Sequence, residues 1–252
     1  MDPRRNLARA NKQLKAINRA DRRFVGSHAY ELRKSTVTED GNRYGIIYVD
    51  SCKPIPDEIP LLVEDICNRL RSTLDHILRR VWLKEDLNFD TPVAFPICDT
   101  LNEFETSAPK LIGGLPQGQR SIFESVQPYN RGNNYLSILR ELENADKQRL
   151  NSVVSTTSII DQIKLRGMIS PSGKFRIIID PKRPELKVGA ELLRVPLEEM
   201  VGEIDVKRNF KYWQVFGISP EIAEGLAVVS TLTAIKDEVK WVLDQLRPFL
   251  KD

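Results

Sequence analysis

The sequence predicts an α+β fold in which a helical core carries an antiparallel β-sheet and a long C-terminal helix. Three observations predict it. Apolar residues recur at spacings of three and four through two long tracts, 57–84 and 221–250. Short β-prone runs separated by turn residues gather around 28–50 and 172–216. The runs and tracts do not alternate regularly, as they would in a doubly wound parallel sheet.

Taken in order, the first element is basic and amphipathic. Leu7, Ala10, Leu14, Ile17 and Phe24 form an apolar seam, and Arg4, Arg5, Arg9, Lys12, Lys15, Arg19, Arg22 and Arg23 stand against only Asp2 and Asp21. This surplus exceeds the net charge of +3 carried by the whole chain. Such a helix either packs or dimerises through its seam, or lays the basic face of Arg4, Arg5, Arg9, Lys12, Lys15 and Arg19 along nucleic-acid phosphates. Next, Asp40-Gly41 between two β-prone runs predicts a hairpin over 28–50. Pro54 and Pro56 end it, and Asp57-Glu58 opens a helix to about residue 84, striped with Ile59, Val63, Ile66, Leu70, Leu74, Ile77 and Val81.

Between 86 and 100, Pro92 and Pro96 flank Val93-Ala94-Phe95, which predicts an extended connector over the core. Short helices follow near 101–108 and 116–126, with a break from Gln127 to Asn134. A second strong helix is expected over 135–154, with Leu136, Leu139, Leu142, Leu150 and Val153 on one side. Strands are then expected at 175–179, 191–195 and 212–216 in a single antiparallel sheet, and a helix at 221–250. The texture divides the chain near 155: a basic helix, hairpin and helical core over 1–155, then strands and the last helix over 156–252, packed as one unit with the core.

Composition narrows the function classes. With 41% hydrophobic and 29% charged residues, the chain is globular rather than disordered or fibrous. No apolar run approaches a membrane span and the first twenty residues lack an apolar leader core, so a cytoplasmic protein without a membrane partner is expected. Three scattered cysteines, Cys52, Cys67 and Cys98, and two histidines, His28 and His76, do not make a disulfide framework or a metal-ligand set. Neither GxGxxG, a P-loop, HExxH nor GxSxG is present, so no cofactor is implied. Tyr44, Tyr48, Tyr129, Tyr212, Trp213 and Phe216 could instead line a small-molecule pocket beside the sheet.

The chemistry-bearing residues sit in the two strong helices. Arg71, Asp75 and His76 lie in Leu70-Arg71-Ser72-Thr73-Leu74-Asp75-His76, and Asn144, Asp146, Lys147 and Arg149 lie in the second helix. Asp146 falls inside an apolar stripe, where a carboxylate must be charge-paired to be tolerated. Arg71 or His76 is the expected partner, the two helices are expected to pack together, and loss of Asp146 should cost roughly 3–5 kcal/mol. Asp75 follows Arg71 by four residues, the spacing of a helix-surface ion pair.

The LRSxLDH stretch, the Val93-Ala94-Phe95-Pro96 connector, Gln127-Pro128-Tyr129 and the NxDKxR helix together resemble a family of uncharacterised bacterial proteins over most of the chain. The helical core is more loosely similar to HEPN domains, whose active members carry an arginine and a histidine separated by four to six residues. Arg71 and His76 match that spacing, whereas Ser72 and Gln148 depart from the residues those relatives favour. The resemblance implies an RNA-binding or metal-independent RNA-cleaving module of a stress or defence system; Arg71 and His76 lie on different faces of their helix and could converge only across a second helix or the second subunit of a homodimer. The module's histidine would move the proton of a 2′-hydroxyl while its arginine steadies phosphorane charge. The residues themselves leave open a second reading, a non-catalytic interaction or dimerisation protein in which Arg71, Asp75 and Asp146 form a structural polar network.

Overall fold

Helix α1 runs from Pro3 to Gly26 in the computed structural model, which describes residues 2–87, 94–147, 153–159, 176–177, 186–199, 210–217 and 221–250. Its start is fixed locally: Asp2 is extended and its carboxylate accepts the Arg4 amide at 3.0 Å, and Pro3 supplies a preset φ at the first helical position. Ala10, Leu14, Ile17, Ala20 and Phe24 are buried, so the predicted seam faces the core. A hairpin follows, β1 (Tyr30–Glu39) and β2 (Asn42–Cys52), with Glu39 opposite Asn42. Asp40 and Gly41 both take positive φ, 49° and 77°, which is the two-residue turn whose twist matches antiparallel strands.

Helix α2 (Glu58–Lys84) is the longest element, about 40 Å by its 27 residues. It buries Ile59, Val63, Ile66, Leu70, Leu74, Ile77, Leu78 and Val81 on one stripe. The connector behind it lays Phe95, Ile97 and Cys98 into the core as expected. Four shorter helices follow: α3 (Leu101–Ser107), α4 (Pro109–Ile112), α5 (Gln117–Ser125) and α6 (Pro128–Arg131). Thr100 caps α3 by accepting the Glu103 amide, and Gly132, at φ 67°, ends α6. Helix α7 spans Tyr135–Lys147, and α8 spans Val228–Leu246. Helices α1, α2, α7 and α8 pack on one another around a single cluster that runs from Ala10 to Leu246, drawing on both sides of residue 155.

The strands form two sheets. β1, β2, β5 (Glu191–Pro196) and β4 (Arg176–Ile177) pair antiparallel in the order β1-β2-β5-β4. β3 (Val153–Ile159) pairs antiparallel with β6 (Phe210–Phe216), Val153 opposite Phe216 and Ile159 opposite Phe210. A mixed α+β fold with antiparallel sheet and a long C-terminal helix is therefore what the chain adopts.

Three boundaries differ from expectation. Val153 and Val154 belong to a strand, not to the helix expected over 135–154, because Val-Val-Ser-Thr-Thr-Ser-Ile is rich in β-branched residues that pack well on a pleated surface. The 212–216 run leaves the hairpin sheet to pair with that strand. The last helix begins at Val228 and not near 221: Glu221–Ala223 is a 3₁₀ turn, and Leu226 and Ala227 are held by Phe216 and Val215 in backbone contacts that helix would forbid. A small fourth difference is the helical turn at Pro128–Arg131 inside the expected break. The predicted strand at 175–179 is described only at 176–177. Val93, Leu150 and Arg149, with the side chains of Asp146, Lys147 and Trp213, lie outside what is described.

Candidate functional site

Packing of α2 against α7 creates the polar site. Arg71 is on α2 with only 14% of its side chain exposed, and its Nε lies 3.6 Å from Asp75 Oδ1 and 3.5 Å from Glu143 Oε2 of α7. One guanidinium thus bridges an acid one turn along its own helix and an acid on the neighbouring helix. Asp75 has a second duty. Its Oδ1 accepts the backbone amide of Phe95 at 2.8 Å, hanging the connector on α2 where Phe95 packs against Phe123. Burial pushes the Asp75 carboxyl above its usual range, with Arg71 and the Phe95 amide pulling it partly back and Glu143 pushing it further up.

His76 is turned onto its own helix. Its Nδ1 lies 2.6 Å from the Ser72 carbonyl, which can only accept, so Nδ1 is the donor of that hydrogen bond. Ser72 Oγ stands 3.2 Å from the same nitrogen. Helix geometry sets Arg71 and His76 about 140° apart around α2. Of the expected network, then, Arg71 and Asp75 meet, the two motif helices meet, and Asn144 is exposed. Among the described residues, the acid that reaches Arg71 from α7 is Glu143, which no motif singles out. On the helix wheel Glu143 falls between Leu136 and Leu139, as deep in the apolar stripe as Asp146, and that angle is the signal that could have found it. Arg71 Nη1 is buried with no hydrogen-bond partner among the described residues.

Two further ion-pair clusters among the described helices were not foreseen. On α7, Arg140 donates to Asp99 Oδ2 at 2.5 Å and to the Ile97 carbonyl at 2.9 Å, and pairs with Glu103 at 3.3 Å. Ser137 also donates to Asp99, so α7 grips the connector a second time. At the other end, Arg131 and Asn133 both reach Glu238 of α8, at 2.8 and 3.2 Å. The Arg131 guanidinium also lies 3.5 Å over the Trp241 ring. Arg131 belongs to the tract expected to be a plain break, so pattern alone could not pair it with a residue 107 positions away.

Among the described residues, the aromatic side chains do not assemble into one pocket. Tyr129 and Phe216 belong to the helical core, while Tyr212 stacks on Tyr30 at 4.7 Å beside the hairpin. Cys52, Cys67 and Cys98 are free thiols. Among the described residues, no three His, Cys, Asp or Glu side chains gather as a metal site, and no helix is long and apolar enough to cross a membrane. Arg4, Arg5, Arg9, Lys12, Lys15 and Arg19 are all exposed on α1. No protein-family model, curated protein or solved structure matches the chain.

Proposed function

We propose that the protein is a non-catalytic interaction module whose Arg71, Asp75 and Glu143 network is structural. The observation that carries this reading is the commitment of these groups to internal tasks: Arg71 joins two helices, and Asp75 fastens the Phe95 connector. A guanidinium that is 14% exposed and already faces two carboxylates has little charge to offer a phosphorane. The HEPN-like alternative, RNA binding with metal-independent cleavage, draws support from His76, whose Nδ1 is engaged by the Ser72 carbonyl so that Nε2 is the ring nitrogen outside that bond and the one that would meet a 2′-hydroxyl.

One experiment separates the two. Purified protein is incubated with tRNA or total RNA in EDTA, beside Arg71→Ala and His76→Ala. The expected result is intact RNA throughout, with Arg71→Ala destabilised by about 2–3 kcal/mol in urea, somewhat below the cost of orphaning a fully buried pair. Cleavage by wild type that disappears in His76→Ala would establish the nuclease and overturn the structural reading.

A further inference from the structure

The basic face of α1 is the largest feature that the polar network leaves unused. Around the helix, Arg4, Lys15 and Arg22 fall within about 20° of one another, and Arg19, Lys12 and Arg5 continue the stripe to about 100°. All six are exposed, and the stripe runs along about 27 Å of axis. Opposite it, Ala10, Leu14, Ile17 and Phe24 are buried in the core. Among the described residues Arg23, which pairs with Glu58 at 3.1 Å, is the one basic residue of this helix with an ion-pair partner. A run of like charges held side by side on a rigid rod is mutually repulsive and is relieved by a polyanion with charges in a row.

We infer that this face of α1 is a docking surface for the backbone of double-stranded RNA. Three observations select that partner. First, the apolar side of α1 is already in the core, so the helix has nothing to insert into a lipid surface in the way an interfacial helix does. Second, the stripe is arginine-rich, suiting phosphate oxygens, and α1 places no aromatic residue on it; single-stranded partners need aromatic platforms for their bases. Third, six cations spread along about 27 Å of one helix face match the phosphate rows that flank the shallow, wide minor groove of A-form RNA, a groove that is recognised by shape and backbone rather than by deep insertion. This names a partner class for the interaction role proposed above and rests on that role.

The test is binding of the full chain to a blunt 24-base-pair RNA duplex in EDTA, measured by fluorescence anisotropy from 50 to 200 mM salt, with the RNA run on a gel afterwards. Arg5→Gln/Lys12→Gln/Lys15→Gln/Arg19→Gln is compared with wild type and with Lys110→Gln, an exposed lysine of α4. Wild type should bind with a steep negative salt slope. The quadruple variant should bind at least about 30-fold more weakly at 100 mM salt, with the slope reduced by about 3–4, while keeping the wild-type melting temperature. Lys110→Gln should match wild type. An unchanged affinity in the quadruple variant, tighter binding to a DNA duplex of the same length, or binding only to vesicles of 30% phosphatidylserine would overturn the inference and leave the non-catalytic reading in place. Fragmented RNA on the gel would overturn that reading instead.

Discussion

Asp75 carries the most consequence for its size, because one carboxylate serves both an arginine and a backbone amide. Its folded pKa is raised above the ordinary 3.8, chiefly by burial, so the native state holds this proton more tightly than the unfolded chain does. Its contribution to stability is therefore greatest below the ordinary carboxylate pKa and is lost as pH rises through the higher folded value. Asn at this position keeps an oxygen for the Phe95 amide and carries no charge to titrate. The difference in unfolding free energy, wild type minus Asp75→Asn, should accordingly be more favourable to wild type at pH 3.5 than at pH 7. Urea titrations at the two pH values measure it, and a difference that grows with pH would show that pairing with Arg71, not burial, governs the group. The Arg71 to Asp75 contact was legible from spacing alone, since residues four apart on a helix are neighbours. The Glu143 contact was not, because it depends on how two helices are rotated against each other.

At the scale of elements, local signals were read well and long-range pairing was not. Asp40-Gly41 specified its hairpin, and the seams of α1 and α2 specified which faces are buried. Val153 was misread because an apolar residue three positions after Leu150 suits a helix stripe as well as the inward side of a strand. Nothing in the sequence says that Val153 should sit opposite Phe216, a pairing that closes a gap of more than sixty residues. The α6 to α8 clamp is of the same kind. Glu238 is 7% exposed and is met by Arg131 and Asn133, so a double-mutant cycle between Arg131→Ala and Glu238→Ala should give a coupling of about 1–3 kcal/mol. Additivity within about 0.5 kcal/mol would mean that the pair is screened and that Trp241 alone holds Arg131 in place.

For the whole molecule, the two hydrophobic clusters are very unequal. The helical cluster unites four helices, whereas the hairpin sheet rests on Ile47, Val49, Leu186, Leu192, Leu193 and Val195. Local opening should therefore be cheapest in the sheet. Native-state hydrogen exchange should show β1 and β2 amides opening at lower free energy than those of Leu70–Leu78 in α2, and equal values would make the two clusters one cooperative unit. The fold class itself was legible because periodicity and turn chemistry are local properties; the division into two sheets was not. The burial of α1 against α8 also sets an order of events during synthesis. At roughly 5–20 residues per second, a ribosome takes roughly 10–40 s to add the ~200 residues between these helices. Through that interval α2 is, among the described residues, the one long helix packed on α1 that is available to shield Ala10, Leu14 and Ile17, so the nascent chain presents a sticky, half-covered α1 to whatever waits at the exit tunnel.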